Sequence, residues 1–121
     1  MNINHLHLKV ASVDRAAAFY ERCFGLRPHV THGDILFMRD QAGMDLALAP
    51  SAEPVAPAAW FHLGFRLDDA EAVARLYDRL VEAGVTIRQP LIHEEDLVSF
   101  RCADPDGYGV EVYWEPQPEP A

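Results

Sequence analysis

A chain of 121 residues, half of them hydrophobic, is long enough to bury one core without disulfide or metal staples. Its formal charge of −9 and pI near 4.9 repel phosphate backbones and anionic lipid, which argues against nucleic acid and membrane surfaces as partners. No run of about eighteen apolar residues occurs, and the opening MNINHLHLKV is too polar for a secretory signal. The expectation is a cytoplasmic, single-domain protein acting on small molecules. Cys23 and Cys102 form no CxxC pair and read as reduced, half-buried thiols rather than a disulfide.

In chain order, residues 3–10 alternate apolar and polar as a half-buried strand does. Ser12 or Asp14 can cap a helix running to Phe24, with Phe19–Tyr20 and Cys23–Phe24 on its inner face and Gly25 ending it. Short strands are expected at Pro28–His32, Ile35–Arg39 and Met44–Ala49, separated by turns at His32-Gly33-Asp34 and Gln41-Ala42-Gly43. Residues 50–59, rich in Pro and Ala, read as a hinge. A second series follows: a strand at 60–67, a helix from Asp69 to Ala83 stopped by Gly84, and strands near 85–92, 97–102 and 109–114. Residues 116–121, Pro- and Glu-rich, read as a frayed tail.

The two series are copies. HLHLKVASVDRAAAFYERC from His5 matches HLGFRLDDAEAVARLYDRL from His62 at an offset of 62 − 5 = 57, which also carries Leu6 to Leu63, Ala17 to Ala74, Tyr20 to Tyr77 and Arg22 to Arg79. AGMDLALAP and YGVEVYWEP align at an offset of 116 − 50 = 66, setting Asp45 beside Glu111. The fold class is therefore α+β: two βαβββ repeats, residues 1–49 and 60–115, within one domain. If the repeats pair by pseudo-two-fold symmetry, His5 and His62 point into one concavity, joined by Asp45 and Glu111 from the last strands. Two imidazoles and one or two carboxylates suit a first-row divalent ion with positions left open. A lone His on a half-apolar strand is more often a core or surface residue; two at equivalent repeat positions, with a Glu between Val110 and Val112, carry more weight.

NHLHLKV followed by DRAAAFYERCFGL, then FHLGFRL, then DPDGYGVEVYW resemble, in this order, the motifs of the glyoxalase/bleomycin-resistance/extradiol-dioxygenase (vicinal oxygen chelate) superfamily. The resemblance covers nearly the whole chain. It implies a mixed sheet curled into a half-barrel around a metal cleft, with His5, His62 and Glu111 as ligands of one ion (Fe, Mn, Ni, Zn or Co). It also implies a homodimer and a substrate chelated through adjacent oxygens. Asp45 stands on the strand that supplies a fourth ligand in glyoxalase-type members. Extradiol dioxygenases place a histidine there and a Tyr ten residues before the metal Glu, where this chain has Arg101. Fosfomycin-modifying members share that Tyr and carry a Thr where this chain has His7. Three activities follow as expectations. A metal-dependent lyase or isomerase is favoured by Asp45; the others are an iron(II) ring-cleaving dioxygenase and a metal-free protein that sequesters a drug or metabolite. His7, two residues from His5, shares its face and is a candidate for moving protons alongside Glu111. Arg101 is a candidate for a substrate carboxylate, and Trp60 and Tyr113 are candidates for lining the cavity with Phe37 and Met38. His29, His32 and His93 sit near turns and receive no role.

Overall fold

The computed structural model describes residues 1–117; residues 118–121, most of the expected tail, lie outside the described residues. The elements run β1 (His5–Val10), α1 (Val13–Phe24), β2 (Arg27–His32), β3 (Ile35–Arg39), β4 (Asp45–Pro50), β5 (His62–Arg66), α2 (Ala70–Glu82), β6 (Ile87–His93), β7 (Val98–Ala103) and β8 (Gly109–Trp114). This is βαβββ twice, as the repeat predicts. The chain divides into two compact units at the bond between Ala56 and Pro57.

Each unit is built on one four-stranded mixed sheet, ordered β1-β4-β3-β2 in the first and β5-β8-β7-β6 in the second. The first strand lies parallel to the last, and the remaining pairs are antiparallel. The helix explains this order, because a parallel neighbour requires a crossover connection whereas antiparallel strands need only a turn.

Local chemistry fixes the helices. Ser12 caps α1, its hydroxyl accepting from the Arg15 N–H, and Asp69 caps α2 by accepting from Ala72. Each cap contributes about 1 kcal/mol. Gly25, at φ 71°, ends α1 in the left-handed conformation that glycine adopts without penalty. Ala16, Phe19, Tyr20 and Cys23 form the buried stripe of α1; Val73, Leu76 and Leu80 form that of α2. The inner faces of the sheets add Leu8, Val10, Met38, Leu46 and Leu48 in one unit, and Phe100, Cys102, Val110 and Val112 in the other. Both cysteine side chains are buried, more deeply than the half-burial expected.

Three expected boundaries shift for identifiable reasons. β1 begins at His5 because β4 begins only at Asp45, whose N–H already reaches the Asn4 carbonyl; Ile3 lies beyond the ladder. β5 begins at His62, so Trp60 stands outside the strand and is 78% exposed. β6 begins at Ile87 because Val85 donates back to Leu80 and closes the end of α2. Met38, expected to line the cavity, is core and fully buried.

The outer strand of each sheet is irregular. β2 contains Pro28 with a register shift between Pro28 and Val30; β6 contains Pro90 with shifts between Ile87 and Gln89 and between Gln89 and Ile92. β1 and β5, at the opposite margins, run in unbroken register with their neighbours.

The ladders also correct the sequence alignment of the last strands. His5 pairs with Asp45, whereas His62 pairs with Gly109, an offset of 109 − 45 = 64 instead of 66. The third strands agree, since Arg39 pairs with Asp45 and Ala103 with Gly109. Glu111 is therefore the counterpart of Ala47, and Arg101 the counterpart of Phe37. A two-residue slip preserves the face but moves a side chain about 7 Å along the strand.

Candidate metal centre

Alternation places His5, His7 and Lys9 on the face of the first sheet away from α1, together with Asp45, Ala47, Phe37 and Arg39. His5 is exposed, and its Nδ1 lies 2.8 Å from the Asn4 amide oxygen. An amide oxygen only accepts, so Nδ1 carries the proton and Nε2 keeps its lone pair. His7 meets the His5 ring edge-on at 5.6 Å and the Phe37 ring at 5.7 Å. It is exposed and joins His5 in a short aromatic row.

Asp45 stands directly beside His5, but its carboxylate is engaged. Arg39 donates Nε to Oδ1 at 2.8 Å and Nη2 to Oδ2 at 3.0 Å, a two-pronged ion pair across β3 and β4. The guanidinium's hydrogen bonds hold the Asp45 carboxyl below the usual carboxylate range, with smaller contributions from His29 and His5. The fourth-ligand expectation rested on Asp45 being the counterpart of Glu111. The counterpart is Ala47, which has no donor atom.

In the second unit, His62, Gly64 and Arg66 share a face with Gly109, Glu111, Tyr113 and Arg101. The His62 Nδ1 lies 3.1 Å from the Trp60 carbonyl oxygen, so this ring too donates from Nδ1 and leaves Nε2 available. Trp60 thus acts through its backbone. Glu111 sits on the neighbouring strand opposite Gly64, one step diagonally from His62. Strand geometry puts such a pair about 8 Å apart at Cα. That separation lets an imidazole and a carboxylate share an ion, with metal–ligand bonds of about 2.0–2.2 Å.

Two glycines make room around these groups. A Cβ at Gly64 would lie 4.0 Å from the Glu111 Oε1, so a large side chain there would cover the carboxylate. A Cβ at Gly109 would lie only 3.2 Å from the His62 Cβ and 3.3 Å from the Phe61 carbonyl oxygen, closer than either can comfortably accept. Gly109→Ala is expected to push β5 aside, destabilising the chain by about 1–3 kcal/mol and weakening any ligand role of His62. Urea unfolding and metal titration of the variant check both effects.

Arg101 donates Nη2 to the Glu111 Oε2 at 3.3 Å, with side chains 39% and 26% exposed. At that exposure the pair orients the carboxylate and adds little stability, under about 1 kcal/mol. Tyr113 carries the Arg66 guanidinium over its ring at 5.8 Å, and Arg66 also donates to the Glu115 carbonyl. Among the described residues, no group of three or more His, Cys, Asp or Glu side chains is gathered closely enough to hold a metal. The structure brings together His5 with Asp45, and His62 with Glu111 as diagonal neighbours. The donor chemistry fits a divalent ion nonetheless, because each imidazole is oriented through Nδ1 by an oxygen acceptor, as metal-binding histidines are.

Residues 2–112 match the Glyoxalase/Bleomycin resistance protein/Dioxygenase superfamily. The chain belongs to that superfamily. It is 30% identical over 118 residues to a metallothiol transferase FosB of Lysinibacillus sphaericus, spanning 93% of this chain and 81% of that one. A structure described as a possible glyoxalase from Bacillus cereus shares 36% identity, with a TM-score of 0.80 over 93% of this chain and 97% of the other. The fosfomycin resistance protein FosX of Listeria monocytogenes superposes with a TM-score of 0.82 over 96% and 94% of the two chains. At 18% identity, that likeness is one of fold.

Asn4, Arg39 and Gly109 were not singled out by the sequence. Only Arg39 left a signal: an arginine six residues before an aspartate, across a short turn, is the spacing of an antiparallel cross-strand ion pair.

Proposed function

We propose that the chain is a metal-dependent enzyme that joins a small thiol to an oxygen-chelating electrophile, with His5, His62 and Glu111 as ligands of one divalent ion. The observation that carries it is the matched state of two repeat-equivalent imidazoles, each with Nδ1 held by an oxygen acceptor and Nε2 left to coordinate. Ala47 at the fourth-ligand position and the Arg39 clasp on Asp45 remove the feature that favoured a glyoxalase-type lyase. A three-ligand set is left, and the FosB relatives support a thiol-transfer reading.

When bound, a divalent ion supplies Lewis-acid polarisation of a substrate oxygen. The chain's own groups do the rest. Asn4 and the Trp60 carbonyl fix the rings, and Arg101 aims the Glu111 carboxylate. In this reading the thiol loses its proton as its sulfur attacks carbon. The carbon–oxygen bond breaks as the carbon–sulfur bond forms, and His7, exposed beside His5, gives a proton to the oxygen so released. His7 and Arg101 replace the Thr and Tyr of the fosfomycin-modifying pattern, so the proposed electrophile is a different one. The reading retains a homodimer, which sedimentation would show at twice 13.6 kDa.

The test begins with metal analysis of protein purified without chelator. His62→Ala is expected to lower metal content at least tenfold with the circular dichroism spectrum intact; unchanged content overturns the ligand assignment. Conjugation of a thiol to an epoxide by the metal-loaded protein supports the transfer. Turnover of a hemithioacetal without conjugation, or oxygen uptake on catechols with bound iron, replaces it with a lyase or a dioxygenase.

A further inference from the structure

The ladders of the first sheet set four polar residues in one row. Arg27 on β2 pairs with Arg39 on β3, Arg39 with Asp45 on β4, and Asp45 with His5 on β1. Directly opposed residues share a face, so two guanidiniums stand side by side at the β2 end of the row. Like charges so placed repel. Arg27 is exposed and Arg39 half-buried, so water screens only part of that repulsion.

One carboxylate serves the two arginines. Asp45 takes Arg39 through Nε and Nη2, which leaves Nη1 unengaged. Arg27 has no ion pair among the described residues. Both arginines line a hollow of about 430 Å³ together with His29 and Asp40, among others. Asp40 is spent on the turn between β3 and β4, where its Oδ1 accepts the Ala42 and Met44 N–H groups. The register shift between Pro28 and Val30 makes His29 the extra residue of a bulge, a device that re-aims a side chain. After Arg39, His29 is among the groups that hold the Asp45 carboxyl below its usual range, which sets this ring on the same side.

We propose that this hollow binds a tetrahedral oxyanion, the phosphate or sulfate group of a small ligand, bridged between Arg27 and Arg39. The Arg27 fork accommodates two oxygens side by side, while Arg39, already clasped by Asp45, offers Nη1 to a third. A carboxylate has only two oxygens and satisfies Arg27 alone. His29 has an N–H to donate even when neutral, and it lines the same space. The repulsion between the guanidiniums is cancelled when one anion stands between them. The site lies at the margin of the sheet opposite β1 and uses none of the proposed metal ligands, so it does not depend on the enzymatic reading.

The test is calorimetric titration of the full chain with inorganic phosphate at low ionic strength, after bound metal has been removed so that no ion can hold the phosphate. Saturable binding is expected, weakened about tenfold in Arg27→Gln and retained in part in Arg27→Lys, which keeps the charge but loses the fork. Arg75→Gln on α2, in the other unit, should bind phosphate as the unaltered chain does. Arg27 and Arg75 are exposed, so these variants fold. Titration with sulfate identifies the group, the tighter of the two anions naming the ester, and acetate should bind several-fold more weakly than either. No saturable binding by the unaltered chain, equal affinity in Arg27→Gln, an equal loss in Arg75→Gln, or acetate binding as tightly as phosphate overturns the site.

Discussion

Glu111→Gln is expected to reduce affinity for a divalent ion by a factor of ten or more while leaving the fold in place. The substitution keeps the size and hydrogen-bonding reach of the side chain but removes the charge that offsets the ion's own. Hard and borderline divalent ions prefer a carboxylate to an amide. The Arg101 contact loses its ionic part as well, but a pair 39% and 26% exposed contributes under about 1 kcal/mol to stability. A melting temperature close to that of the unaltered protein should therefore accompany a large fall in bound metal. Equal metal content in the two proteins, measured after the same chelator-free purification, would remove Glu111 from the ligand set.

The largest stability effect is expected from Phe100→Ala, at about 3–5 kcal/mol. Phe100 is fully buried on the inner face of β7 and meets the Tyr77 ring of α2 edge-on at 5.1 Å. Truncation removes apolar burial and the aromatic contact together, and it leaves a cavity between sheet and helix. The next residue, Arg101, points to the opposite face by strand alternation, so the loss of packing acts directly beneath the candidate site. Urea unfolding followed by fluorescence measures the change. A cost below 1 kcal/mol would mean that the face of β7 toward α2 is not packed as described.

Much of this architecture is legible in the residues. The alternation in HLHLKV, the caps Ser12 and Asp69, and Gly25 act through neighbours a few residues away, so the elements they govern emerge nearly where expected. The duplication is equally plain where both copies keep one spacing, from the first strand through the helix. The pairing of the last strands was not legible. AGMDLALAP and YGVEVYWEP look alike when aligned on their glycines and prolines, but register is set by long-range hydrogen bonds, and these run two residues out of step with that likeness. The consequence falls on the site, because Asp45 reads as a ligand only until Arg39 is found across the ladder from it. Arg88, Arg101 and His62 lie far apart in sequence, and no local pattern announces that they line one pocket.

The irregular outer strands bear on how the protein behaves at high concentration. A sheet margin with unsatisfied amides is a template for joining other chains, and proline or a local kink blocks such growth. β2 and β6 carry both safeguards. β1 and β5, which bear His5 and His62, carry neither. Protection against indiscriminate assembly is thus concentrated away from the strands that carry the proposed imidazole ligands, and any lateral extension of either sheet by a further segment would meet least resistance along those two strands.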